Sequence, residues 1–206
     1  MKSALILDLD NTIYPVSSIA ENLFEQFFEM LDKDPDVDSS VIHQAKSEIT
    51  RRPFQQVADD FNFSQSFKDK GIELLNIITY NGPMQPYTDY RYIKEITIDK
   101  FLVTTGFTKL QNSKITKLGI ANDFKEIHIV DPEISPKTKK DIFQNLMDKY
   151  GYQPADILVI GDDPESEIKA AKALGIDTFL YDPHHKHLNA SATYRSHSMA
   201  RVLSII

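Results

Sequence analysis

The sequence predicts a three-layer α/β fold, a Rossmann-like parallel sheet core interrupted early by an all-helical insert, and three observations point to it. Short apolar runs recur along the chain, helical patterns separate them, and one long early segment carries helical periodicity with no strand in it. Strands that alternate with helices imply crossover connections, and therefore a mainly parallel sheet covered on both faces.

The first run, residues 3–9 (SALILDL), ends in acids and in Asn11-Thr12, and reads as a buried strand running into a loop. From Ser17 to about Tyr80 the character changes. Ile19, Leu23, Phe27, Met30 and Leu31 recur at helical spacing, and Phe54, Val57, Phe61, Phe67, Ile72, Leu74 and Leu75 mark further helices. Strand-like runs resume at 101–104 (FLVT), 126–130 (EIHIV), 157–160 (ILVI) and 178–181 (TFLY), with helical patterns at 109–118, 139–150 and 166–174 between them. Gly119, Gly151 and Gly175 each follow a helical pattern, where a left-handed cap is easiest for glycine. The expected division is an α/β core from residues 1–14 and 85–206 around a helical insert at 15–84, with Asn81-Gly82-Pro83 and Pro86 punctuating the return. Residues 189–198 are polar and carry no predicted element, whereas 199–206 suit one final helix or strand.

The 206 residues, 41% hydrophobic and 26% charged, describe an ordinary globular chain with room for a well-buried core. Twenty-three basic against 30 acidic residues give a formal charge of −7, which provides no basic field to gather a nucleic acid polymer or an anionic membrane. The absence of cysteine excludes disulfides, thiolate metal sites and cysteine nucleophiles. The start MKSALILDLD has too short an apolar run for a secretory segment, and no stretch approaches 18 apolar residues, so a cytoplasmic location is expected.

In an open parallel sheet, ligands sit beyond the carboxyl ends of the strands. Four segments fall there or at a helix start: Asp8-Leu9-Asp10-Asn11-Thr12, Thr104-Thr105-Gly106, Pro136-Lys137 and Gly161-Asp162-Asp163. Each alone reads equally well as a turn or a helix cap; together they set three acids, a hydroxyl pair and a lysine on one edge. Two carboxylates about 4 Å apart repel by roughly 4 kcal/mol at an effective dielectric near 20, so Asp8, Asp10 and Asp162 call for a cation. Oxygen-only ligands suit magnesium, and a metal clamped by carboxylates also neutralises a transferring phosphoryl group. Lys137, Lys139 and Lys140 fall in or near the first turn of the helix expected after Ser135-Pro136, where cations oppose the helix dipole by about 0.3–1 kcal/mol each. An anionic partner for one of them is expected, with Lys139 and Lys140 read as surface residues. His184, His185 and His187 lie in a polar loop and read as surface residues too.

With DLDNTIYP, a helical insert, FLVTTGFTKLQNSKITKLGI, a lysine ahead of DIF, and VIGDDPESEIKAAKALGI, the sequence resembles the haloacid dehalogenase-like (HAD) hydrolases, in the subgroup with a helical cap inserted after the first motif. The resemblance covers residues 4–15 and about 100–182. It implies that Asp8 is the nucleophile that forms an aspartyl-phosphate, and that Asp10 protonates the leaving oxygen and then activates water. It further implies that Thr104, or Thr105 beside it, binds a phosphate oxygen and that Lys137 neutralises the phosphoryl charge, with Lys139 the alternative. Asp162 would bind magnesium with the Asp8 carboxylate and the Asp10 backbone carbonyl, and Asp163 or Glu167 would serve as the second acid of the last motif.

The implied activity is hydrolysis of a small-molecule phosphate monoester. Asp10 argues against a dehalogenase, since those members lack the second acid of the first motif. A phosphomutase shares every core residue, and DLDNTIYP and TTGF also resemble pyrimidine 5′-nucleotidase-like members. From other classes, a phosphoacceptor signalling domain has no need of a helical insert or of Asp10, and a binding domain with a dead site has no need of the intact acid set. Cap cations Lys46, Arg51, Arg52, Lys68 and Lys70 read chiefly as a solvated face. Substrate identity and oligomeric state leave no mark in the sequence.

Overall fold

The computed structural model describes residues 1–35 and 37–206. They form a six-stranded sheet in the order β3-β2-β1-β4-β5-β6, with every neighbouring pair parallel. The strands are β1 (Ala4–Leu7), β2 (Asp99–Thr105), β3 (Glu126–Val130), β4 (Ile157–Gly161), β5 (Asp177–Tyr181) and β6 (Tyr194–Ser196). The helices are α1 (Ala20–Leu23), α2 (Glu25–Lys33), α3 (Ser39–Ile49), α4 (Phe54–Asp60), α5 (Gln65–Ile77), α6 (Tyr90–Lys94), α7 (Thr108–Leu118), α8 (Lys139–Tyr150) and α9 (Lys169–Lys172).

β1 is buried at all four positions and lies between β2 and β4, which is why its sequence is a continuous apolar run and not an alternating one. Ile6 sits level with Phe101 on one side and Val159 on the other, so side chains at these positions share a face. That face, with Ala4, Val103, Val130 and Ile157, packs on Phe143, Leu146 and Met147 of α8 and on Ala171 of α9. Leu5, Leu7, Leu102, Leu158 and Ile160 point the opposite way and are buried as well, as a sheet covered on both sides requires.

Contacts divide the chain into two compact units: residues 1–15, 85–105 and 119–206 form one, and residues 16–84 with 106–118 form the other. The sheet belongs to the first. The second is helical, with no strand among its described residues. Its centre is a cluster of rings: Phe27 meets Phe54 edge-on at 5.0 Å between centroids, and Phe63 meets Phe67 likewise at 5.0 Å. α7, the helix that follows β2 in sequence, belongs to this unit, and there the Ser113 hydroxyl accepts a hydrogen bond from the Tyr80 amide at 2.8 Å. Helical periodicity marks α7 as a helix but carries no information on which neighbours it packs against.

Two further elements escape the periodicity argument. β6 is three residues of mixed polarity at the sheet edge, too short to show a pattern, and α6 is a five-residue helix. The chain ends in a 3-10 helix, Met199–Ser204, which resolves the choice at 199–206 in favour of a helix. Gly151 closes α8 at φ 72°, in the left-handed region expected of it, and its amide donates to the Met147 carbonyl.

Candidate active site

Asp8 follows β1 directly, and its amide donates to the Ile160 carbonyl at 3.0 Å. The pairing of β1 with β4 therefore carries Asp8 to the edge where Gly161 and Asp162 leave the adjacent strand. Beyond it the chain makes one tight turn: Ile13 N–H donates to the Leu9 carbonyl at 2.9 Å, and Asn11 takes φ 56°, a left-handed conformation that asparagine adopts more readily than most residues. This turn returns Tyr14 beside Asp10, where the two backbones form a bridge and the Tyr14 hydroxyl donates to Asp10 Oδ1. Within the same turn the wholly buried Thr12 donates its hydroxyl to Asp162 Oδ1 at 3.4 Å.

Thr104 and Thr105 are the last two residues of β2, the first buried and the second half-buried, on the strand next to the one that delivers Asp8. The lysine that meets Asp8 is Lys139 and not Lys137. Lys139 Nζ donates to Asp8 Oδ1 at 2.7 Å and to Glu167 Oε2 at 2.8 Å, whereas Lys137 is exposed and outside the helix. The reason is where α8 starts. Its N-cap is Thr138, held in a capping box with Asp141, so Ser135-Pro136 lies outside the helix and Lys139 becomes the first helical residue. A buried ammonium there opposes the helix dipole, and its two carboxylate partners offset that cost.

Of the two acids considered for the last motif, Glu167 joins the cluster. It is 2% exposed, and its Oε1 accepts the Asp163 amide at 2.7 Å while Oε2 takes Lys139. The Asp163 carboxylate instead caps the turn Pro164–Ile168 by accepting the Glu165 amide at 2.8 Å. Glycine at 161 is what lets Glu167 approach, because a Cβ there would lie inside contact distance of the Glu167 carboxylate.

Asp8, Asp162 and Glu167 each offer a carboxylate oxygen, and these lie within 4.8 Å of one another. Burial pushes the Asp8 carboxyl up to about 7; Lys139 opposes this, and the charges of Glu167 and Asp10 add to it. Burial likewise raises Asp162 well above the usual carboxylate range, reinforced by Glu167 and Asp8. Burial works against the charge of Lys139, but Asp8 and Glu167 outweigh it and raise its pKa. Three carboxylates against one ammonium leave a formal −2, which a single divalent cation balances. The donors are all oxygen, so the residues fit a hard cation such as magnesium. Glu167 thus stands with Asp8 and Asp162 as the third carboxylate of the cluster, while the Asp10 carboxylate accepts from Tyr14 and the group that the resemblance implies for the metal at Asp10 is its backbone carbonyl.

Tyr87 lies near enough to the cluster to feel the charge of Asp162, which its place in the sequence does not reveal. Its phenol is pushed up to about 12, first by burial and then by the charges of Asp162 and Asp89, and its ring packs edge-on against Tyr181 at 5.4 Å. Elsewhere, four of the five cations singled out in the helical unit are paired within it: Lys46 with Asp32, Arg51 and Arg52 with Glu48, Arg52 also with Asp60, and Lys68 with Asp59. His184 and His185 are exposed and His187 is half-buried.

A parallel sheet with an acid cluster and a lysine at its carboxyl edge defines a Rossmann-like protein with a carboxylate-centred site, and comparison with known proteins identifies the family. The chain belongs to the haloacid dehalogenase-like hydrolases, whose family profile matches residues 2–175. It is 26% identical over 111 residues to a pyrimidine 5′-nucleotidase of Streptococcus pneumoniae, a match covering 52% of this chain and 47% of that protein. It thus spans about half the length of that relative. A glyceraldehyde 3-phosphate phosphatase of Methanopyrus kandleri is 22% identical over 198 residues, covering 86% of this chain and 83% of the relative. An enolase-phosphatase E1 of Aquifex aeolicus is 26% identical over 199 residues, covering 85% and 88%. Among solved structures, the HAD-hydrolase YfnB from Bacillus subtilis, bound to magnesium, superposes with a TM-score of 0.69 at 18% identity over 99% of this chain and 98% of that one. That likeness is one of fold. No helix among the described residues is long and apolar enough to cross a membrane.

Proposed function

We propose that this hydrolase is a magnesium-dependent phosphatase that cleaves a small-molecule phosphate monoester through an aspartyl-phosphate on Asp8. The observation that supports it is the buried cluster in which Lys139 bridges Asp8 and Glu167 with Asp162 alongside, because it fits one divalent cation beside an attacking carboxylate.

In this reading Asp8 forms a bond to phosphorus as the bond from phosphorus to the ester oxygen breaks, and Asp10 gives that oxygen its proton so that a neutral alcohol leaves. Asp10 then takes a proton from water as the water oxygen attacks phosphorus, releasing inorganic phosphate and restoring Asp8. Thr104 and Thr105 offer hydroxyls to the phosphoryl oxygens, and Lys139 neutralises charge on Asp8 and on the group it receives. Asp8, Asp162 and Glu167 would hold magnesium, together with the Asp10 carbonyl, and the ion would supply positive charge to the phosphoryl oxygens. The relatives named for phosphatase and nucleotidase activity support phosphoester chemistry, and Asp10 disfavours dehalogenation.

The test is phosphate release from nucleoside monophosphates, sugar phosphates, phosphoglycolate and an aryl phosphate, with and without magnesium. Asp8→Asn is expected to fall to background and Asp10→Asn by about 10²–10⁴-fold. Equal release by the wild type and both variants would overturn these roles. Preference for pyrimidine monophosphates would mark a nucleotidase, and transfer to a sugar hydroxyl in place of water would mark a mutase.

A further inference from the structure

Tyr14 is wholly buried, and its hydroxyl is directed at the carboxylate of Asp10. Packing alone would be met by phenylalanine; a buried phenol needs a polar partner, and here that partner is the acid two residues beyond the nucleophile. The backbone behind Tyr14 is tied down from two sides. The Leu9 carbonyl accepts from Ile13 N–H at 2.9 Å, and the Ile13 carbonyl accepts from Tyr87 N–H at 2.8 Å, while Asp10 and Tyr14 are themselves bridged. The hydroxyl thus reaches the half-buried Asp10 from a fixed base.

A group that gives a proton to a leaving oxygen and then takes one from water must hold its direction through both steps, and a displacement of about 1 Å costs on the order of 10²-fold in rate. We propose that Tyr14 is a positioning residue for Asp10: its hydroxyl fixes the plane of the carboxyl group that exchanges protons with the leaving group and the attacking water. This rests on the reading of Asp10 as acid and base.

The effect is separable from a loss of packing because proton donation matters in proportion to how poor the leaving group is. Steady-state kinetics with magnesium present compare p-nitrophenyl phosphate, whose phenolate departs unprotonated, with glycerol 3-phosphate, whose alkoxide cannot. Tyr14→Phe is expected to lower kcat on glycerol 3-phosphate about tenfold or more beyond its effect on the aryl ester, with KM for each within about threefold of wild type. Added to Asp10→Asn, Tyr14→Phe is expected to leave the ratio of the two rates unchanged, because the residue it acts through is already disabled. Incorporation of p-aminophenylalanine at position 14, which keeps the ring and a donor, is expected to restore the ratio. Equal losses on both esters in Tyr14→Phe, while Asp10→Asn remains selective against glycerol 3-phosphate, would overturn the positioning role alone. Wild-type rates on both esters in Asp10→Asn, or no phosphate release by the wild type, would overturn the acid–base reading and this role with it.

Discussion

Lys139 shows how much of this site rests on a single charge. Its side chain is 8% exposed, and its ammonium lies within 2.8 Å of two carboxylates whose side chains are 7% and 2% exposed. Removing one partner from a buried charge group costs about 3–5 kcal/mol, because the charges left behind keep their desolvation penalty and lose their compensation. Lys139→Ala leaves Asp8 facing Glu167 with nothing between them, and so is expected to lower the unfolding free energy of the metal-free protein by about that amount and to cut phosphate release sharply. Lys137→Ala removes an exposed side chain outside the helix; it is expected to change stability by less than about 0.5 kcal/mol and activity by less than about twofold. Urea unfolding and phosphate release on the two variants check this, and the reverse ranking would place the active-site lysine two residues earlier.

At the level of elements, the carboxyl end of β4 sets the distance between Glu167 and the residues it meets. Glu167 occupies space that a Cβ on residue 161 would claim, and the same carboxylate ties the Asp163 amide to Lys139. Gly161→Ala is therefore expected to displace Glu167 and to weaken magnesium affinity and activity by about 10–100-fold, the range typical when support around a metal site is lost; calorimetric titration with magnesium measures it. The strands that deliver the site were legible because β1 and β4 are buried on both faces and so write continuous apolar runs into the sequence. The places of Asp8, Asp10, Thr104 and Asp162 at that edge were legible because they follow or end such runs. Lys139 was less so, since a proline after Ser135 looked like a helix start. The deciding signal was present in Thr138-Lys139-Lys140-Asp141, a hydroxyl residue three before an acid, which is the pattern of a capping box. Glu167 against Asp163 could not be separated by sequence, because which of the two caps the turn is settled by the path of Pro164–Ile168. Tyr14 follows Asp10 by four positions in a segment with no helical periodicity, and only the turn at Asn11 brings them together.

On the scale of the whole molecule, the acid cluster couples stability to pH, and under the proposed function it would couple it to metal as well. Burial foremost pushes Asp8 up to about 7 and Asp162 well above its ordinary 3.8, so the folded chain holds these protons more tightly than the unfolded chain does. Between the unfolded and folded values the native state binds protons that the unfolded state has released, so the contribution of Asp8 is complete below about pH 4 and is lost as pH rises through about 7, and Asp162 contributes in the same direction. A metal held there would reverse this, because it would bind the ionised carboxylates and compete with the protons. At 100 times its dissociation constant, a ligand of the folded state adds about 2.7 kcal/mol, which for a chain of this length corresponds to about 5–10 °C in Tm. With the magnesium concentration set from its affinity at pH 8, that gain is expected at pH 8 and is expected to shrink at pH 5, where Asp8 holds its proton. Asp162→Asn is expected to remove most of the gain at pH 8. Thermal melts with and without magnesium at the two pH values decide the matter: an equal gain at both would mean that the ion binds somewhere other than among Asp8, Asp162 and Glu167.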